Sequence, residues 1–493
     1  MNFITVIFMP PIENLLFAAG ILLLLSVILS KASDRFGIPS LLFFLIIGML
    51  AGSEGLGGIY FNNAFAAESM GVVALIFILF AGGFDTAVKD IRHILVSGVI
   101  LSTLGVVLTT LVVALAAVHW LKFSWVEGLL LGSIVSSTDA AAVFGVLRTH
   151  KASLRGKLQP LLELESGSND PMGVFLTISI ISLIKNPHIP PVQFLPSFAI
   201  NIALGAIVGW LFGRGTIIII NRLKLMYEGL YPALLFGLIF LTYTAAYFIK
   251  GNGFLAVYVA GLLVGNANLI HKKSLKSFLE GFAWFMQIAM FLTLGLLVFP
   301  SHIVPILGTG LLISLILMFI ARPLSVWICL LFSKFNWQER TMVSWVGLRG
   351  AVSIILATFP LLAGIPKAEM IFNIVFFIVL TSILIQGTSV AAVARWLQVD
   401  APAKRQLDQP IELTHRKLIQ AQLEDVIVPF GSPASGHSIV ELSLPAQSLI
   451  VLVCRNEKFS IPNGATVLQE GDILWVLANK ADLKKLNKIL GLS

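Results

Sequence analysis

The chain has 493 residues, of which 57% are hydrophobic and only 12% charged, with a formal net charge of +8. Soluble domains carry about 25% charged residues; half that proportion over this length cannot clothe a water-facing surface, and 35 phenylalanines exclude a disordered chain. Unbroken apolar runs of about twenty residues exclude a transmembrane β-barrel, which alternates over segments of about ten.

The expected fold class is therefore an all-α polytopic membrane protein. Thirteen apolar runs reach or approach the length of a membrane crossing, near 12–30, 38–52, 67–84, 94–118, 126–147, 157–184, 195–220, 229–249, 253–269, 280–300, 303–332, 340–363 and 369–395. Residues 1–11 carry no basic stretch before the first run and are not read as a cleaved signal peptide. If the loop after the first run is cytoplasmic and sides alternate, inside loops hold 19 Lys and Arg. Outside loops hold 4: Lys122, Lys185, Lys250 and Lys367. A miscounted run would mix the two sets, so the imbalance supports thirteen crossings of the inner membrane, N-terminus outside and C-terminus cytoplasmic. The positive net charge is this loop bias, with no nucleic-acid-binding patch.

After the transmembrane part (1–396), residues 397–412 are polar, with two prolines, and read as a linker. Residues 413–493 read as a small cytoplasmic α+β unit. Runs 448–454 (SLIVLVC) and 473–478 (ILWVLA) are strands, turns fall at 456–457, 463–464 and 470–472, and 480–490 is a helix. A unit of this size just sustains a core and often dimerises. Residues 432–437 are expected to form a loop opening a short helix, an anion-binding spot through Ser435, Gly436 and His437.

A charge at the bilayer centre costs about 2.5–3.5 kcal/mol on insertion scales, so each needs a reason. Asp85 and Glu163 fall near cytoplasmic ends of runs, where solvation is cheap. Arg322 and Arg349 are basic residues inside runs, and Asp139, Glu165, Asp170 and Arg349 lie deep. Asp139 follows three hydroxyls (Ser136, Ser137, Thr138) in a small-residue stretch; close helix packing alone needs no aspartate there. Unwound backbone near Thr138 would expose carbonyls to a cation beside the carboxylate. Ser166, Asn169 and Asp170 are spaced i, i+3, i+4 and share one helix face, with Glu165 one position off it. Gathered oxygen ligands without a His or Cys cluster suit a hard cation rather than a transition metal. Arg349, flanked by Gly347 and Gly350, needs a carboxylate, and Glu165 is the candidate that leaves Asp139 and Asp170 free. The interrupted fifth and twelfth runs are offset by seven, an odd number. They therefore run in opposite directions, consistent with two inverted six-helix repeats (runs 1–6 and 8–13) and a midplane site.

Ser137-Thr138-Asp139, Glu165-Ser166-Gly167-Ser168-Asn169-Asp170 and Gly347-Leu348-Arg349-Gly350-Ala351 resemble the signature of NhaP-type monovalent cation/proton antiporters, across the transmembrane part. Residues 413–493 resemble the RCK or TrkA-C module of potassium-uptake regulators, and antiporters with that module are mostly potassium/proton exchangers. The resemblance implies a homodimer, formed through the transmembrane and C-terminal domains, with a moving six-helix core. It implies that Asp170 binds cation or proton, that Asp139, Thr138 and Ser166 complete the site, and that Asn169 stands where electrogenic relatives carry a second acid. Glu165 and Arg349 would be a structural ion pair. No cofactor is implied, although the module is a sensor for a nucleotide or ion in this reading, or a dimer clamp. Many relatives carry an acid in the third run where this chain has Ala81, a looser site that fits potassium better than sodium. A gated potassium channel is disfavoured because no Thr-Val-Gly-Tyr-Gly filter occurs, and an organic-anion transporter because the site has no free basic group. Nothing marks an enzyme or, with Cys329 and Cys454 far apart, a disulfide framework.

Overall fold

A computed structural model describes residues 12–36, 39–149, 152–186, 188, 194–223, 225–402, 422–429, 431–442, 444–445, 448–455 and 458–491. It divides into two units, 1–405 and 406–493.

The first unit is helical. In chain order it contains α1 (Ile12–Phe36), α2 (Ser40–Ala51), α3 (Ala64–Asp85), α4 (Leu95–Leu121), α5 (Trp125–Val135), α6 (Ala140–Thr149), α7 (Leu158–Lys185) and α8 (Phe194–Leu223). These are followed by α9 (Leu230–Phe248), α10 (Gly253–Asn266), α11 (Lys272–Leu296), α12 (Pro300–Cys329), α13 (Trp337–Trp345), α14 (Ala351–Leu362) and α15 (Ala368–Trp396). Among the described residues, ten spans are long and apolar enough to cross a membrane, α5 and α6 together forming one; α2, α10 and α14 are shorter apolar helices. Leu, Ile, Val and Phe point both into the core and outward: Phe44, Phe77, Phe291 and Phe376 are buried, while Phe17, Leu24, Trp210, Leu241 and Phe319 are exposed. Apolar residues on outer faces are what a lipid solvent requires.

Close approaches set the packing. α2 and α11 meet at Gly48 and Gly295, where a Cβ on Gly48 would fall 2.9 Å from the Cα of Gly295. α3 lies along α10, α11 and α14, and α7 contacts α5, α10 and α14. α4, α12 and α15 each contain a π-turn, at Leu101–Gly105, Leu317–Ala321 and Ile383–Gly387. Such turns often mark functional places in helices. Strands β1 (Ala152–Leu154) and β2 (Asp400–Pro402) pair antiparallel, tying the chain after α15 to the loop between α6 and α7. The expected linker 397–412 thus begins with a paired strand; its residues 403–412 lie outside the described residues.

The second unit is a four-stranded antiparallel sheet in the order β3 (Gln422–Ile427), β6 (Ile473–Ala478), β4 (Ser448–Arg455), β5 (Lys458–Ser460), with helix α16 (Lys480–Ile489). Val426, Ile450, Val453, Leu474 and Val476 form its core with Leu483 and Leu486 of α16. Both expected strands and the helix are present. β3 was not foreseen, and the expected turn at 456–457 lies outside the described residues.

Candidate functional site

α5 starts in a capping box, Ser124 with Glu127, and stops at Val135. Residues 136–139 are unwound before α6 begins at Ala140. Ser136 donates its hydroxyl to the Ser133 carbonyl, a local bond of the kind that competes with helix continuation, while Ser137 and Thr138 turn theirs to Asp170 and Asn169 of α7. α13 likewise stops at Trp345 and α14 starts at Ala351, leaving 346–350 unwound. The two stretches cross: the Asp139 amide donates to the Leu348 carbonyl at 2.8 Å. A Cβ on Gly350 would lie 2.6 Å from that of Asp139, so this position admits only glycine.

The freed backbone groups are satisfied by side chains. Arg349 Nη1 donates to the carbonyls of Ser136 (2.6 Å) and Ser137 (2.7 Å). Ser166 Oγ on α7 donates to the Thr138 carbonyl at 2.9 Å and accepts from the Ala140 amide at 3.2 Å. Asn169 Nδ2 donates to Thr138 Oγ1 at 2.7 Å. From α15, Ser382 Oγ accepts the Arg349 amide at 3.1 Å and donates to Gln386, whose amide nitrogen donates to the Trp345 carbonyl at 2.9 Å.

Asp139 and Asp170 face one cavity of about 620 Å³, with Ser137, Thr138 and Ser166 beside them. Ser137 donates its hydroxyl to Asp170. Toward the mouth the cavity is lined by Glu163, Asp85 and Glu280; the last two are exposed. Asp85 bridges to Lys276 at 3.1 Å. Ala81 also lines the cavity and brings no ligand. Oxygen donors around two carboxylates make a place for a hard cation or a proton.

Glu165 and Arg349 do not form the expected pair. The Glu165 carboxylate is gripped by Arg322 of α12, Nη1 to Oε1 at 2.6 Å and Nη2 to Oε2 at 2.9 Å. The reason is local. Unwinding of 136–139 supplies Arg349 Nη1 with two carbonyl acceptors, while Glu165 turns off the Ser166–Asp170 face toward α12 and Arg322. Gly347 leaves room for this grip, since a Cβ there would lie 2.8 Å from Arg322 Nε.

Of the expected cation ligands, Asp170, Asp139, Thr138 and Ser166 line the cavity; Asn169 is buried and braces Thr138 instead. Sequence reasoning missed Ser137, Ser382, Gln386 and the role of Arg322. The signal for Arg322 was the one used for Arg349, a lone arginine in an apolar run. In the second unit the loop at Ser435, Gly436 and His437 corrects its expectation. No helix begins there, and the three amides are spent on the carbonyls of Ser432, Leu468 and Ala434. An anion-binding helix start needs those donors free.

The family description "Sodium/hydrogen exchanger, transmembrane" matches residues 21–396, and "TrkA-C domain" matches residues 423–491. Over 487 residues the chain is 39% identical to the K(+)/H(+) antiporter NhaP2 of Shewanella baltica (strain OS223), covering 97% of this chain and 83% of that protein. It is 38% identical over 485 residues to the K(+)/H(+) antiporter NhaP of Alkalimonas amylolytica, covering 98% and 84%. Its fold is similar to the solved sodium proton antiporter MjNhaP1 of Methanocaldococcus jannaschii at pH 8, with a TM-score of 0.67 and 26% identity over 78% of this chain and 99% of that one.

Proposed function

The chain belongs to the sodium/hydrogen exchanger family, and on that premise we propose that it exchanges potassium for protons across the inner membrane. The observation that carries the reading is the cavity ending on Asp139 and Asp170 at the crossing of two unwound segments. A carboxylate there holds a proton or a cation, not both well. Bare, Asp170 resists passage through the barrier, because desolvating an unpaired charge costs several kcal/mol. Either ion neutralises it and lets the core move, elevator-like, which enforces one-for-one exchange. Thr138 and Ser166 complete the site, and Asn169 holds Thr138 in place. Potassium rather than sodium is favoured by the relatives named K(+)/H(+) antiporters and by Ala81, which removes a ligand from the cavity wall.

The reading takes thirteen crossings, the ten long spans plus α2, α10 and α14, as two inverted six-helix repeats with the N-terminus outside and the C-terminus in the cytoplasm. The cavity mouth then faces the cytoplasm, beside Lys276 and the other basic loop residues. The protein works as a homodimer, and 413–493 is a regulatory module that needs no cofactor for transport itself. The strand pair β1–β2 hydrogen-bonds the chain after α15 to the loop between α6 and α7.

Proteoliposomes loaded with a pH-sensitive dye test the reading. Potassium collapses an imposed pH gradient without a membrane potential, and Asp170→Asn abolishes the response in folded protein. Exchange that survives Asp170→Asn overturns it. The same assay with sodium, rubidium and lithium ranks the cations.

A further inference from the structure

α7 carries a polar track beyond the transport site. Glu163, Gly167 and Asp170 are spaced i, i+4, i+7 and share one helix face, and all three line the cavity. Tyr258 of α10 lies across that face at Gly167, where a Cβ would sit 2.6 Å from the ring Cζ, so the phenol occupies the space that any side chain would fill. Tyr258 is 4% exposed and lines the cavity. Its hydroxyl has no hydrogen-bond partner in the protein. Thr86 and Glu163 flank it, neither in hydrogen-bonding geometry with the phenol oxygen, and the Thr86 hydroxyl donates to the Gly82 carbonyl at 2.7 Å. A buried hydroxyl without a partner is unusual, and in a cavity it marks a place for something else to bind.

We propose that the Tyr258 hydroxyl and the Glu163 carboxylate form an outer site for a monovalent cation, filled on the way from the cavity mouth to Asp170. One carboxylate and a neutral oxygen give a hard ligand set, suited to an alkali cation that still keeps water. Glu163 also accepts from Gln159 Nε2 at 3.0 Å, which orients the carboxylate. Seven residues separate Glu163 from Asp170, about 10 Å along the helix axis, so one cation cannot touch both. It hops inward past the phenol, shedding water as the cavity closes around it. Glu280 at the mouth raises the local cation concentration without belonging to the site, Asp85 being paired with Lys276.

The inference rests on Asp170 being the transport carboxylate, and the test separates the two. Exchange by the full-length protein is measured in everted and right-side-out membrane vesicles with Tyr258→Phe, Glu163→Gln and Asp170→Asn. The outer site predicts that Tyr258→Phe raises the potassium KM on the mouth side about three- to ten-fold, equivalent to losing one ligand, while the KM on the opposite side moves less than about two-fold. Glu163→Gln, near-isosteric and half-buried, shifts the mouth-side KM in the same direction and keeps the question decidable if Tyr258→Phe is unstable. KM values unchanged, or raised equally on both sides, overturn the outer site, because a purely structural role or a bound water has no sidedness. Exchange surviving in Asp170→Asn overturns the underlying reading instead.

Discussion

Glu165 and Arg322 hold each other by two charge-assisted bonds of 2.6 and 2.9 Å, with 1% and 3% of their surfaces exposed. Removing one member of such a pair strands the other charge and costs about 3–5 kcal/mol; removing both and filling the volume with apolar atoms is often close to neutral. Arg349 differs: it lies on two backbone carbonyls, so its loss leaves those carbonyls unpaired whatever happens to Glu165. A double-mutant cycle separates the two geometries. Glu165→Met, Arg322→Met and Arg349→Met are each expected to lower the apparent melting temperature in detergent, followed by tryptophan fluorescence. The Glu165→Met/Arg322→Met double should recover at least half of the summed loss, and Glu165→Met/Arg349→Met should fall at the sum. Gly347→Ala probes the same grip sterically. Its Cβ arrives at 2.8 Å from Arg322 Nε, against ordinary contact at 3.4 Å or more, so the guanidinium must yield by several tenths of an ångström, at the expense of its fork on Glu165. Recovery with Arg349 rather than Arg322 would refute the assignment.

Gly350→Ala should abolish exchange while the protein remains folded, because the new Cβ collides with the Asp139 side chain where the unwound segments cross; a wild-type rate in vesicles would argue against the crossing. Glu54 accepts hydrogen bonds from the Ser301 hydroxyl and amide, which hold its pKa below the ordinary value, so this tether is present above the usual carboxylate range and lost as pH falls through the lowered value. Protection of the Ser301 amide from hydrogen exchange should therefore be lost on acidification, and Glu54→Gln should weaken it at neutral pH. Ser153 and Ala401 are directly paired between β1 and β2; Ser153→Cys with Ala401→Cys should cross-link under mild oxidation, while the native cysteines, both buried, stay reduced. No cross-link would mean a different register.

The architecture was legible because lipid is a demanding solvent. Apolar runs, loop charges and the few polar residues left in the runs located the spans and the Asp139–Asp170 cavity. What was illegible depended on partner choice. From the sequence Arg349 has one reasonable carboxylate; only the unwinding of 136–139 creates the carbonyls that hold its Nη1, and unwinding is a tertiary outcome stabilised by Ser166, Asn169 and Ser382 from other helices. Asn169 shows the same limit: its spacing puts it on the Asp170 face, but its amide turns to Thr138, which spacing does not encode. In the second unit, β3 escaped notice because Gln422–Ile427 contains adjacent acids, Glu424 and Asp425, tolerable on an edge strand paired with β6 alone.

The one-for-one stoichiometry proposed above rests on a count of the deep charges. Three carboxylates, Asp139, Glu165 and Asp170, meet two guanidiniums, Arg322 and Arg349, at the crossing and the brace. Glu165 and Arg322 cancel in one fork. Arg349, held on the carbonyls of Ser136 and Ser137, supplies the second positive charge without an ion-pair partner. The sum is one negative charge, shared by Asp139 and Asp170 and on the proposed reading carried by Asp170. A single potassium ion or a single proton brings the core to neutrality, so both loaded forms cross the barrier at equal charge and the empty form does not. Each cycle then moves one cation against one proton and no net charge. Transport on a solid-supported membrane should give no sustained current under a potassium or proton gradient, at turnover rates that the pH dye reports independently. A current that scales with turnover and vanishes in Asp170→Asn would mean that a second site titrates in the cycle, with Asp139 as the residue responsible.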